Sequence, residues 1–183
     1  MKAKELGWLN LRKYKRVAVG GTFDELHRGH RALLLKAFEV GDYVEIGLCS
    51  DAFVARMQKP HATASYQERL EELKRFLASN KLSEKAHIVT LDDSYGTAAS
   101  DKSLEALVVS EETEKTARQI NQKRLSSGLS ALKIVTIRMV PSENCTPIST
   151  TRIRRGEIDR EGRLLKKPVS HAGTVQAAPS KTR

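Results

Sequence analysis

Residues 17–30 read Val17-Ala18-Val19-Gly20-Gly21-Thr22-Phe23-Asp24-Glu25-Leu26-His27-Arg28-Gly29-His30. An apolar strand pattern runs into two glycines, and two histidines three residues apart then flank a third glycine. An amphipathic helical pattern follows at once and continues to about Val40. A tight turn between a strand and a helix start exposes backbone N–H groups, and the helix dipole favours anions there. The segment therefore predicts a phosphate site, with two imidazoles as additional donors.

Strand and helix patterns alternate along the rest of the chain, which is typical of a parallel sheet with crossover helices. Strands are expected at 16–19, 43–49, 87–91, 106–110 and 132–140, and helices at 29–40, 52–57, 66–78 and 111–127. Ser65 and Glu68 have the spacing of a capping box, and Gly128 is the expected C-cap of the last of these helices. A weak helical turn is expected near Ala98. The stripe Leu70, Leu73, Phe76 and Leu77 is assigned to the core.

The composition of the 183-residue chain indicates one soluble globular domain, with 39% hydrophobic and 30% charged residues. No apolar run approaches the roughly 20 residues needed to cross a bilayer. The N-terminus lacks the apolar core of a signal peptide, so we expect a cytoplasmic protein. Cys49 and Cys145 lie far apart, which favours two free thiols and no protein-bound metal.

A net charge of +10 raises the question of nucleic-acid binding. Residues 1–16 carry +5 and residues 163–183 carry +5, so residues 17–162 sum to zero. A nucleic-acid-binding domain carries its basic excess as a patch on the fold. We therefore interpret residues 1–13 as a basic N-terminal extension and residues 167–183 as a disordered basic tail, with a single domain at 14–166.

A second motif, Ile148-Ser149-Thr150-Thr151-Arg152-Ile153-Arg154, lies more than a hundred residues after the first and also has the hydroxyl side chains of a helix start. Together the two segments resemble the HxGH and ISTTxIR motifs of the nucleotidylyltransferase superfamily. Further segments at 107–113, 120–124 and 156–162 resemble the archaeal-type phosphopantetheine adenylyltransferases. The resemblance covers about residues 15–166.

That resemblance implies a single Rossmann-like, doubly wound α/β domain with a five-stranded parallel sheet of the HUP or nucleotidylyltransferase type. It implies adenylyl transfer from ATP to 4′-phosphopantetheine, which gives dephospho-coenzyme A and pyrophosphate. Mg²⁺ is expected with the ATP, held mainly by phosphates and water. ATP and 4′-phosphopantetheine are the expected partners, without a membrane or a specific nucleic acid, and a monomer is the expected state.

The resemblance also assigns roles to residues of both motifs. ATP is expected to contact Gly20, Gly21, Thr22, Phe23, Gly29, His30, Ser149, Thr150, Thr151 and Arg152. The acceptor is expected to contact Thr22, Asp24 and Lys59, and catalysis to depend on His30, His27, Arg152 and Lys59. Because a phosphate monoester is already an anion near neutral pH, these residues would position the substrates and neutralise charge.

Several alternatives stay open. Another nucleotidylyltransferase, such as a cytidylyltransferase or an FMN or nicotinamide mononucleotide adenylyltransferase, would use the same motifs. A nucleic-acid-binding protein with a vestigial site is the alternative from another class. Asp24 has a turn-capping role as a second interpretation. His61, His87 and His171 are read as histidines without a functional role, and Arg118, Lys123 and Arg124 as a solvated helix face.

Overall fold

A computed structural model describes residues 13–165. Its sheet has five parallel strands in the order β3-β2-β1-β4-β5. The strands are β1 (Tyr14–Gly21), β2 (Gly41–Cys49), β3 (Ala86–Leu91), β4 (Ala106–Ser110) and β5 (Lys133–Ile137). The predicted α/β fold with a five-stranded parallel sheet is confirmed.

Among the described residues, five helices connect or follow the strands: α1 (Arg28–Val40), α2 (Asp51–Arg56), α3 (Tyr66–Ser79), α4 (Glu114–Ser126) and α5 (Thr150–Arg154). Short 3₁₀ turns lie at Asp24–Leu26, Ser83–Lys85 and Gly96–Ala99. Hydroxyl side chains cap three helix starts: Ser50 at α2 and, as the sequence predicts, Ser149 at α5 and Ser65 with Glu68 in a capping box at α3.

The sheet is covered by apolar side chains on both faces. Because side chains alternate along a strand, Val17 and Val19 of β1 join the larger core cluster under α1 and α3, while Ala18 joins the smaller cluster under α4. The predicted stripe of α3 contributes as expected, with Leu73 and Leu77 fully buried. Both faces are thus packed, as parallel sheets require.

Several predicted boundaries were wrong. Gly20 and Gly21 belong to β1, where they pair with β2, instead of forming the turn. The fifth strand ends at Ile137 because its partner β4 ends opposite it at Ser110. The helix expected from residue 111 begins at Glu114, and Ser127 is its cap, with Gly128 following in the left-handed conformation.

The strand order reverses between β1 and β4, so a crevice opens beyond their carboxyl ends, where ligands bind in such sheets. Both the turn at residues 22–27 and the turn at 111–113 lie at this edge. In the part of the chain that the structure covers, no helix has the length and apolar character needed to cross a membrane. The tail at 167–183 and the N-terminal extension, except residue 13, lie outside the described residues.

Candidate active site

One cavity of about 680 Å³ occupies this crevice and gathers residues from both motifs. Its volume falls in the range of small-molecule sites. Predicted site residues that line it are Gly20, Gly21, Thr22, Phe23, His27, Gly29, His30, Lys59, Ser149, Thr150 and Thr151. The structure therefore brings together two segments separated by more than a hundred residues, and it leaves Asp24 and Arg152 outside the cavity lining.

His27 is the N-cap of α1. Its Nδ1 accepts hydrogen bonds from the backbone N–H groups of Gly29 at 3.1 Å and His30 at 3.4 Å. A Cβ atom at position 29 would meet the imidazole Cε1 atom at 3.0 Å, so the glycine leaves room for the capping ring. Since Nδ1 accepts, a neutral His27 carries its proton on Nε2 and offers it as a donor.

His30 lies directly against this cap. Its ring stacks on that of His27 with centroids 3.8 Å apart, and Phe23 meets it edge-on at 5.5 Å. Burial lowers the pKa of His27 to about 4 and, together with the charges of His27 and Lys59, holds the pKa of His30 well below its usual value. Both imidazoles are therefore neutral near pH 7, and each carries one ring N–H.

The backbone of the first motif is strained at two positions. Phe23 and Glu25 adopt positive φ angles of 50° and 54°, in the left-handed region that residues other than glycine rarely occupy. Phe23 is fully buried, and its packing against His30 holds this conformation. Strain of this kind persists where the surrounding structure over-determines it, commonly at functional sites.

Lys59 reaches the first motif from the loop between α2 and α3. Its Nζ donates to Thr22 Oγ1 at 2.8 Å, and burial lowers the pKa of its ammonium group. Two of the three residues predicted to hold the acceptor are thus in direct contact.

Asp24 connects three parts of the site from behind the cavity. The fully buried carboxylate accepts from the backbone N–H of Ala64 at 3.1 Å and from Arg154 Nη2 at 2.9 Å. Its carbonyl oxygen accepts from Thr150 Oγ1 at 3.0 Å. These contacts join the first motif to the Lys59 loop and to α5, which agrees with the second, structural interpretation of Asp24. Its contact with the acceptor stays a prediction.

The hydrogen bonds of Arg152 go to none of the other predicted catalytic residues, and its roles in ATP binding and catalysis stay predictions. Its guanidinium donates to Ser142 Oγ at 2.8 Å, to the Pro147 carbonyl at 3.0 Å and to Glu157 at 3.2 Å. It therefore fastens the loop that leads into the second motif. Arg154, two residues on, is the arginine of that motif that faces the first one.

Comparison with known proteins agrees with this geometry. The model of the cytidylyltransferase-like family matches residues 18–156. A phosphopantetheine adenylyltransferase of Methanothermobacter thermautotrophicus is 47% identical over 156 residues, which is 85% of this chain and 93% of that protein. One from Thermococcus gammatolerans is 47% identical over 154 residues, covering 84% and 96%. The chain belongs to the phosphopantetheine adenylyltransferase family. The superfamily and family resemblance predicted from the motifs is thereby confirmed.

Solved structures agree with the assignment of the fold. A protein of unknown function from Archaeoglobus fulgidus superimposes with a TM-score of 0.60 at 36% identity, covering 67% of this chain and 88% of that one. Tyrosyl-tRNA synthetase from the same organism gives a TM-score of 0.54 at 12% identity, covering 79% and 61%, which concerns the fold alone.

Two residues of the segment at 120–124, which resembles the phosphopantetheine adenylyltransferase family, have structural roles here. Asn121 exchanges two hydrogen bonds with the backbone of Leu132, at 2.8 and 2.9 Å. Arg124, which we had assigned to a solvated face, is buried and donates to the carbonyls of Ala98, Asp101 and Ser130. That assignment was wrong. Arg118 is exposed and pairs with Glu114, as expected of a surface arginine.

Arg69 is the main contributor that the sequence reading missed. It is 1% exposed, and its guanidinium donates to the backbone carbonyls of Thr22, Cys49 and Ala64 at 2.8–2.9 Å. It also pairs with Asp51. One side chain therefore ties the first motif, the end of β2 and the Lys59 loop together.

The depressed pKa of His27 predicts a stability loss in mild acid. Between pH 7 and pH 5 the imidazole of His27 becomes protonated in the unfolded chain, where its pKa is near 6.5, but stays neutral in the folded protein, where its pKa is about 4. The free energy of unfolding therefore falls by about 2 kcal/mol over this range. Urea unfolding of the wild type and of His27→Asn, which keeps a capping acceptor, measures this. Between pH 7 and pH 5 the free energy of unfolding should fall less in His27→Asn than in the wild type, by the contribution of His27. An equal fall in both proteins would contradict the lowered pKa of His27.

Proposed function

We propose that this protein transfers the adenylyl group of ATP to 4′-phosphopantetheine, forming dephospho-coenzyme A and releasing pyrophosphate. The observation that carries the proposal is the single cavity in which the imidazoles of the first motif face the hydroxyl residues of the second. Relatives over 40% identical across most of the chain bear the name of this activity. An acceptor phosphate and a triphosphate both suit a cavity lined by lysine, imidazole and hydroxyl donors.

The reaction requires little proton chemistry from the protein. An oxygen of the acceptor phosphate attacks the α-phosphorus of ATP in line, a new P–O bond forms, and the bond to the β-phosphate breaks with pyrophosphate leaving. Thr22 and Lys59 hold the attacking phosphate, and His30 and His27 donate to the α-phosphoryl oxygens. Ser149, Thr150 and Thr151 contact the leaving pyrophosphate. Catalysis is thus mainly positioning and charge stabilisation.

Mg²⁺ fits this site as an ion that enters with the nucleotide. Within residues 13–165 no three histidine, cysteine, aspartate or glutamate side chains lie close enough together to hold a metal. The carboxylates that line the cavity, those of Glu45, Asp93 and Glu112, form no such cluster, so the ion would be held mainly by phosphate oxygens and water. When bound it would neutralise charge on the β- and γ-phosphates.

We propose that the enzyme acts as a cytoplasmic monomer. Cys49 and Cys145 are both free, which suits a reducing compartment.

A panel of nucleotides and acceptors tests the proposed function. We expect pyrophosphate release with ATP and 4′-phosphopantetheine, and little release when either is replaced. CTP in place of ATP, and FMN or nicotinamide mononucleotide in place of the acceptor, are the matched controls. Pyrophosphate release with CTP but not with ATP would instead indicate a cytidylyltransferase. Release with FMN or nicotinamide mononucleotide but not with 4′-phosphopantetheine would indicate the corresponding mononucleotide adenylyltransferase.

A further inference from the structure

The loop between α2 and α3 carries a second side chain that faces the cavity. His61, two residues after Lys59, lines the same cavity as His30, Thr150 and Thr151. We had read it as a histidine without a functional role. The structure gives it cavity-lining neighbours from both motifs.

A hydrogen bond fixes how His61 presents its ring. Thr151 Oγ1 lies 3.3 Å from His61 Nδ1, while Nε2 is buried and has no partner among the described residues. A buried polar atom of a native structure is normally satisfied, by protein, water or a ligand. The Nε2 atom of His61 is therefore free to form a hydrogen bond with a ligand.

Positive charges outnumber negative ones around His61. Burial comes first among the causes that lower its pKa, and Lys59, Arg154 and Arg155 act in the same direction, whereas the Asp24 carboxylate opposes them. The ring is therefore neutral near pH 7. Either partner of the Thr151–His61 contact can donate. We assign the Thr151 hydroxyl as the donor to Nδ1, which puts the single ring proton on Nε2 and makes that atom a donor. A donor among positive charges binds an anion.

We propose that His61 is a binding residue for the leaving phosphates of ATP, donating from Nε2 to a β- or γ-phosphate oxygen. Its link to Thr151, in the second motif, places it on the side of the pyrophosphate, whereas Lys59 contacts Thr22 on the side of the acceptor. This assignment rests on the proposed function, because it takes the ligand of the cavity to be a nucleoside triphosphate.

The test compares the binding of ATP and AMP to His61→Ala and to the wild type by calorimetry. A hydrogen bond to a charged phosphate predicts that ATP binds about tenfold or more weakly to the variant, while AMP affinity is unchanged. His61→Gln keeps an N–H donor and should restore most of the ATP affinity. His87→Ala removes an exposed histidine outside the cavity and serves as the control.

Equal ATP affinity in His61→Ala and the wild type would overturn the assignment, as would equal weakening of ATP and AMP. The second result would mean that His61 only supports the loop. Thermal unfolding of each variant checks that the fold is kept. Because binding is measured without turnover, a failure of this assignment is distinct from a failure of the proposed function, which the wild-type activity panel reports.

Discussion

Replacement of His30 by alanine is expected to lower kcat by about 10²–10³-fold and to change the KM for ATP much less. The ring is a neutral donor, fixed by stacking on His27 and by edge contact with Phe23. Its interaction should strengthen as negative charge develops on the α-phosphoryl oxygens, so its loss raises the transition-state barrier more than it weakens binding. Steady-state kinetics with ATP and 4′-phosphopantetheine measure both quantities.

The control for this variant is His87→Ala, since His87 is exposed and lies outside the cavity lining. It should leave kcat within twofold of the wild type, roughly as surface substitutions do. An unchanged kcat in His30→Ala would remove His30 from the catalytic machinery, and a tenfold rise in KM alone would make it a ground-state binding residue.

Replacement of Arg69 by methionine is expected to lower the free energy of unfolding by about 3–5 kcal/mol. Methionine retains much of the side-chain volume, but the carbonyls of Thr22, Cys49 and Ala64 each lose a hydrogen bond in a buried position. Urea unfolding measures the loss. Activity should fall as well, because the first motif and the Lys59 loop are no longer held in register.

Arg75→Met provides the matched control, because Arg75 is an exposed arginine of the same helix. It should change the free energy of unfolding by less than about 0.5 kcal/mol. If Arg69→Met were no less stable than Arg75→Met, the carbonyl contacts of Arg69 would contribute nothing to stability, contrary to the structural account.

Local patterns were sufficient to predict the elements that position the site. The apolar run at Val17–Val19, the capping box at Ser65 and the hydroxyls at Ser149 each act within a few residues, so their effects can be read from the sequence. Local patterns did not predict where β5 ends or where α4 begins. A strand ends where its neighbour ends, and that pairing is a property of the assembled sheet.

The buried arginines show where reading the sequence alone fails. Arg69 lies four residues before Leu73 and eight before Leu77, on the same face of α3, so a charge on the apolar stripe was the available signal. Its partners, three backbone carbonyls, come from segments distant in sequence. The sequence also does not tell whether Arg152 or Arg154 contacts the first motif. The packing of α5 decides this, and it pairs the guanidinium of Arg154 with Asp24 and Glu25.

The most direct test of the central claim follows the α-phosphorus of ATP. With ATP labelled at that position and 4′-phosphopantetheine as acceptor, we predict that the label appears in dephospho-coenzyme A and that an equal amount of unlabelled pyrophosphate is released. Label that stays in the nucleotide, or labelled transfer from CTP but none from ATP, would contradict the assignment of this cavity to adenylyl transfer.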